Sequence, residues 1–388
     1  MKPILAIKDV KRSLMSIIDE SAREGSINFG IGDPTYRLSD KMQSKIEELI
    51  FKDSNYGPVA GREDTRERLF NYYRDRKFCF EINPSSFVLT CGATEAIDIC
   101  LKSLTSPGDQ IIYPDPGYVL YKPAILLNKA IPVPLPLSKN NNFSIDISIL
   151  KSVITPKTKA IILNSPSNPT GGTIDKKTLQ EISKIAKKNN LIVISDEIYE
   201  FINFKGKQKS IAEYYKNTIV ISGISKLYTL SGFRLGWTIA NNKLTEELLK
   251  CHQYTTFRAP DFSQKTTSEI FKHTSEFTRI KDYYNKRRNI MLNGLKKIKN
   301  ISFNAPEGTF FLYVDFSEIN GGDDWKTANE LLERGLITVP STGPGEGFGN
   351  NGKGYIRLSF ADASTKNIEN GIKILHKYCK AKEKSNNI

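Results

Sequence analysis

Thr218-Ile219-Val220-Ile221-Ser222-Gly223-Ile224-Ser225-Lys226-Leu227-Tyr228-Thr229-Leu230-Ser231-Gly232-Phe233-Arg234-Leu235-Gly236-Trp237 is the stretch on which the reading of the chain turns. Its apolar run predicts a buried strand, and the Ser and Gly steps that follow predict a loop into which the strand delivers one lysine. Lys226 has no acid close to it in sequence. A lysine set among Ser, Gly and apolar residues is poorly solvated, which lowers its pKa toward the neutral amine, the form that attacks a carbonyl. Arg234 follows a Gly-Phe step eight positions later, so a fixed cation can reach the same pocket and hold a phosphate by its planar fork. The plainer alternative is a strand whose Lys and Arg are simply solvated at its end.

Other strand ends carry related signals. Phe87-Val88-Leu89-Thr90-Cys91-Gly92-Ala93-Thr94-Glu95 reads as strand, glycine turn and helix start. Free backbone N–H groups and the positive end of the helix dipole make that junction an anion site, with Gly92 and Ala93 keeping side chains away and the Thr94 hydroxyl as a further donor. Lys159-Ala160-Ile161-Ile162-Leu163-Asn164-Ser165-Pro166-Ser167-Asn168-Pro169-Thr170-Gly171 is an apolar strand entering a rigid polar turn. Leu191-Ile192-Val193-Ile194-Ser195-Asp196-Glu197-Ile198-Tyr199 is apolar throughout, as inside a parallel sheet, and ends on an acid where open α/β sheets bind ligands. Asp196 is either solvated there or buried, and a buried acid needs a cationic partner.

The run Gly223-Ile224-Ser225-Lys226, then seven residues, then Arg234-Leu235-Gly236 resembles the cofactor-lysine segment of class I/II aminotransferases, pyridoxal-phosphate enzymes of fold type I. Asn168-Pro169-Thr170-Gly171 is a second mark of that family. Two departures are visible: Thr229 replaces a small or apolar residue, and Gly223 stands where a phosphate-contacting Ser is common, which leaves Ser225 as the hydroxyl donor. The resemblance implies that Lys226 carries the cofactor and moves the substrate proton. It pairs Asp196 with the ring nitrogen, directs Asn168 and Tyr199 to the phenolic oxygen, and stacks Tyr118, in Asp115-Pro116-Gly117-Tyr118, on the ring. Gly92, Ala93, Thr94, Ser225 and Arg234 would fix the phosphate, joined by Tyr56 of Tyr56-Gly57-Pro58-Val59-Ala60-Gly61 reaching across from a second copy. Gly32, within Gly30-Ile31-Gly32-Asp33-Pro34, and Asn168 would lie against the substrate carboxylate. Arg357, in Tyr355-Ile356-Arg357-Leu358-Ser359-Phe360-Ala361, would grip that carboxylate as a bidentate pair. By position alone, Gly32 could be turn punctuation and Arg357 could point outward. The Asn168-Pro169 bond is expected cis.

Composition sets the frame. At 388 residues the chain exceeds what one core usually supports, so two domains are expected. Residues 46–284 are read as the large cofactor-binding domain, 285–388 as the small one, and 1–45 as an arm that joins the small one. Hydrophobic residues at 39% and charged residues at 25% leave no apolar run of membrane-span length. The first ten residues do not make a secretory signal, and cytoplasm is the expected address. Five cysteines without a Cys-x-x-Cys pair, and three scattered histidines, point to no disulfide framework or metal centre. The net charge of +14 is spread over short Lys-rich stretches, so neither nucleic acid nor a membrane surface is expected as a partner.

Within the ordered elements, helices are expected at 39–51, Arg62–Arg76, Thr178–Asn189 and, as one long rod, Thr267–Lys297. An N-terminal helix would be anchored by Ile17 and Ile18. Ile131–Leu135, rich in proline, should be an edge strand, and the glycine-rich loop 343–354 should be mobile over the site. The expected fold is therefore α/β: a large domain with a mostly parallel sheet of the seven-stranded type between helices, plus a smaller α/β C-terminal domain. The expected activity is amino-group transfer between an L-amino acid and a 2-oxo acid by a homodimer. A lyase or decarboxylase using the same cofactor is the alternative, and a non-catalytic regulator would need a DNA-binding segment for which the first 30 residues leave no room.

Overall fold

The computed structural model describes residues 9–50, 52 and 55–386, so the first eight residues of the arm expected at 1–45 lie outside the described residues. Seven strands form the central sheet, in the spatial order Phe87–Thr90, Gly236–Ile239, Thr218–Gly223, Ile192–Asp196, Thr158–Asn164, Gln110–Asp115, Ile131–Pro136. All run parallel except Gly236–Ile239, which is antiparallel to both neighbours. Phe87–Thr90 and Thr218–Gly223 are buried at every position, because helices cover both faces and an apolar run can be buried on both. Ile131–Pro136 sits at the sheet's edge as its prolines require, bonded only to Gln110–Asp115.

A second sheet of four antiparallel strands is built from Ser302–Phe303, Phe311–Asp315, Tyr355–Ser359 and Val339–Pro340. The helices Glu276–Leu295 and Thr365–Asn386 pack against each other beside it, and a side chain at Gly294 would collide with Ile372. The N-terminal segment joins this half. Ile27–Asn28 pairs in parallel with Leu336–Ile337, and the Phe29 carbonyl accepts from the Ser359 amide at 2.7 Å. Among the described residues no helix is long and apolar enough to cross a membrane, and all five cysteines are free thiols.

Two of the expected helices are present within a residue or two, Asp40–Ile50 and Lys176–Lys188, the latter capped by Asp175, and the one expected at Arg62–Arg76 is present as Glu63–Tyr73. Three expectations need correction. The rod Thr267–Lys297 is two helices, Asp261–Ile270 and Glu276–Leu295. The break falls at His273-Thr274-Ser275 and lets Phe271 and Phe277 turn into one aromatic cluster with Tyr72 and Phe201, a burial that one straight helix would deny them. In the N-terminal helix Leu14–Glu20 the buried anchors are Leu14 and Ile18, while Ile17 is only half-buried. The glycine-rich loop is tied down rather than free over the site. Glu346 exchanges backbone bonds with Leu14 and Arg12, the Phe348 carbonyl accepts from Gly117, and Lys122 pairs with Glu346 at 3.1 Å.

Beneath the sheet a buried polar network fixes the segment that carries Asp196 and Tyr199. Arg76 reaches Glu197 at 3.0 Å and Glu200 at 2.5 Å; Tyr73 and Ser222 donate to Glu200, and Ser195 and Ser210 donate to Glu197. Burial pushes the Glu197 carboxyl up to about 7 despite Arg76. Breaking a buried ion pair by removing one partner strands the other charge, so Arg76→Met is expected to cost about 3–5 kcal/mol in chemical denaturation of the holoenzyme. A loss below about 1 kcal/mol would show that the network does not hold this segment.

Candidate active site

The carboxyl ends of the parallel strands open on a cleft of about 330 Å³ roofed by the second sheet. Lys226 closes the short turn Ile224–Lys226 after its strand, and its Nζ donates to the Gly32 carbonyl at 2.9 Å. Burial lowers its pKa to about 8; Asp33 opposes the shift, while Arg357 and Arg234 add to it. Loss of solvent, as its apolar and Ser/Gly neighbours imply, is the largest cause. Gly32 must be glycine, since a Cβ there would stand 2.4 Å from the Phe311 ring.

Opposite the lysine lies Asp196, 3% exposed. Its carboxylate accepts from Tyr121 Oη at 2.6 Å and from the Ile198 amide at 3.2 Å. Burial raises its pKa against those two bonds and the more distant Lys226. A third polar partner is thus still wanted. Tyr118 lines the same wall, edge-on to Tyr121 at 5.7 Å. Tyr199 is packed edge-on against Phe310 and Phe311.

The helix Gly92–Leu104 begins at the cleft without any side-chain cap, which leaves its first amides free for an anion. Ala93 and Thr94 line the cleft beside Ser225 and Arg234. Arg234 is held by the Ser231 carbonyl at 2.9 Å and lies so close over Gly92 that a Cβ there would stand 2.5 Å from its Nη2. Gly92 also has φ +78°, so both the backbone and the space exclude a side chain.

Arg357 points inward, 1% exposed, which removes the outward alternative. Nη1 donates to Asn168 Oδ1 at 3.0 Å and Nη2 to the Gly30 carbonyl, while Nε is buried without a partner. Burial lowers the guanidinium to about 10. An orphaned donor on one edge of a fork that faces a cleft is suited to a carboxylate. The Asn168–Pro169 bond is cis, as expected.

Every expected site residue lines this cleft except Gly92, which floors it beneath Arg234, and Tyr56. Tyr56 stands outside, 81% exposed, against Phe257 and Arg258. Tyr121, Asn164, Phe311 and Met15 join the site without having been expected there. Asn164 bonds the Asp196 carbonyl and the Asn168 amide and so spaces two site loops, and Tyr121 lies three residues beyond Tyr118 in the same aromatic turn, which was the available signal.

These groups fit pyridoxal phosphate: a desolvated amine, a buried acid with no ion-pair partner among the described residues, an aromatic wall and an uncapped helix start beside an arginine. A seven-stranded, mostly parallel sheet bearing that set at its carboxyl ends defines a fold-type I pyridoxal-phosphate enzyme. The family model for aminotransferase class I and II matches residues 24–375, and the chain belongs to that family. It is 33% identical over 364 residues to a probable aspartate aminotransferase of Methanocaldococcus jannaschii, covering 91% of this chain and 94% of the relative. It is 32% identical to an aspartate aminotransferase of Pyrococcus horikoshii, covering 93% of each. The solved alanine aminotransferase of Pyrococcus furiosus superposes with a TM-score of 0.90 at 26% identity, over 98% of this chain and 100% of that one. The protein is a pyridoxal-phosphate-dependent aminotransferase that moves an amino group between an amino acid and a 2-oxo acid.

Proposed function

We propose that this cleft carries out both half-reactions of the transfer in alternation, with Lys226 as its acid and base. The observation that carries the reading is the buried Lys226 amine, which donates to the Gly32 carbonyl at 2.9 Å in the cleft that Asp196 and Arg357 also line; burial lowers its pKa to about 8. Bound there, pyridoxal phosphate supplies an aldehyde to receive the amino group and a conjugated ring to spread the charge left at the substrate's Cα. Arg357 takes the α-carboxylate on its free edge, and Asn168 fixes the guanidinium from the other side. Lys226 then removes the Cα proton and returns it one atom away, a task suited to an amine titrating near neutrality. Asp196 provides the buried negative charge that keeps a ring nitrogen protonated. Asn168 and Tyr199 would hold the cofactor's phenolic oxygen, and Tyr118 would cover its ring. Gly92, Ala93, Thr94, Ser225 and Arg234 retain the phosphate between the two halves of the cycle.

The test uses the apoenzyme. Only the neutral amine captures an aldehyde, so the initial rate of cofactor capture, trapped by borohydride as added mass on the Lys226 peptide, should rise about tenfold from pH 6 to 7 and level off above about pH 8. A rate that keeps climbing toward the ordinary lysine value of 10.5 would show a solvated lysine and sink the assignment.

A second copy completes the site in this reading. Tyr56, Tyr254, Phe257 and Phe262 are four of the six exposed large hydrophobics among the described residues, and Tyr56 packs on Phe257 while Arg258 covers both rings. Such a patch fits a homodimer in which Tyr56 reaches the neighbouring phosphate. Sedimentation should give about twice the 43.7 kDa chain mass, and Tyr56→Phe should weaken cofactor binding by about tenfold for the lost phosphate bond. A monomer with unchanged affinity would remove this element. The amino donor is left open by the relatives, whose names specify aspartate in some and alanine in another.

A further inference from the structure

We infer that the amino donor carries an uncharged, mainly apolar side chain, and that a donor with a second carboxylate is disfavoured. The inference rests on the site reading above and adds the substrate class to it. Three cations line the cleft among the described residues: Lys226, Arg234 and Arg357. Each already has a task at the carbonyl carbon, the phosphate or the α-carboxylate, so none of the protomer's own cleft cations remains for a distal carboxylate.

What surrounds the donor's Cα is apolar. Met15 Sδ touches Arg357 Nη2 at 3.4 Å, so a side chain leaving a Cα whose carboxylate is on Arg357 meets a thioether first. Ile18, Ile31, Ile337 and Val339 continue that wall. Burying methylenes or a ring against it favours binding by roughly 25 cal/mol per Å² of apolar surface.

The charges that remain are of the wrong sign for an acidic donor. Asp19 lies one helical turn beyond Met15, and Asp33 follows Gly32, whose carbonyl takes the Lys226 amine. Both line the cleft, both are exposed, and neither makes an ion pair among the described residues. A distal carboxylate entering here would be stripped of water beside an apolar wall and meet two like charges at the mouth. Repulsion of that kind is how a site rejects a competitor of similar size.

The experiment mixes holoenzyme with single donors and follows loss of the cofactor's aldehyde-form absorbance, so no 2-oxo acid need be guessed. Leucine, methionine and phenylalanine are compared with aspartate, glutamate and lysine. The expected result is a second-order rate constant at least about tenfold higher for the best apolar donor than for either acid or for lysine. In the variant Asp19→Asn, an exposed position, the aspartate rate should rise severalfold while the leucine rate stays within about twofold. Aspartate, glutamate or lysine leading the panel overturns the inference and leaves the aminotransferase reading standing. Equal rises for aspartate and leucine in the Asp19→Asn variant also overturn it, since Asp19 would then act on the common chemistry. Turnover of no donor at all overturns the site reading and this inference with it.

Discussion

Lys226→Ala is expected to lower the rate of the donor half-reaction by at least about 10³-fold, because the variant loses both the covalent attachment point and the proton carrier. Burial brings the amine to about 8, near working pH, whereas it lowers the Arg357 guanidinium only to about 10. Asp196, although raised by burial, is engaged by Tyr121 and the Ile198 amide, whereas Lys226 stands at the Gly32 carbonyl. The fold should survive the substitution, since Nζ makes a single hydrogen bond. The phosphate cradle is also untouched, so the variant should still bind cofactor, but borohydride should leave no added mass. A variant that retains more than a tenth of wild-type rate would show that another group carries the proton.

Arg357→Lys should lower kcat/KM for every donor by about 10²-fold while preserving the net charge. A lysine is a point charge on a flexible stem and cannot present two parallel N–H groups to a carboxylate. Each charge-assisted bond lost costs about 1.5–3 kcal/mol, and 1.4 kcal/mol is a factor of ten. Two bonds in the structure orient the guanidinium, one to Asn168 and one to the Gly30 carbonyl, and the ring of Phe311 lies 4.0 Å beneath it. The loss should therefore fall in both KM and kcat, since a misplaced carboxylate also misplaces the Cα proton. Weakened binding of an unreactive carboxylate inhibitor, measured by titration, is the independent check. Unchanged inhibitor affinity would assign the carboxylate to another group.

Much of the site could be read along the chain because its residues sit where local patterns end. Lys226, Asp196 and Asn168 each follow an apolar run, and a run of that kind can only be a covered strand whose carboxyl end faces the cleft. Gly92 was legible for the same reason: a glycine between a strand and a helix signals backbone that must approach something closely. The lowered amine of Lys226 followed from its neighbours in sequence, which are the same groups that exclude water from it.

Tertiary packing decided the rest. Arg357 could have pointed either way on its strand, and only the pairing of Tyr355–Ser359 between Phe311–Asp315 and Val339–Pro340 turned it toward Asn168. Tyr121 meets Asp196 across 75 residues, and Met15 meets Arg357 across 342, so no window of sequence contains either pair. The expected rod near residue 271 broke because two phenylalanines found one aromatic cluster, and the glycine-rich loop was tied down by partners from the opposite end of the chain. Sequence by itself determined which segments are strands and what chemistry stands at their ends, since periodicity and solvation are set by neighbours along the chain. Which side chains face one another, and hence which amino acid the cleft admits, depends on groups that only folding brings within a few ångströms.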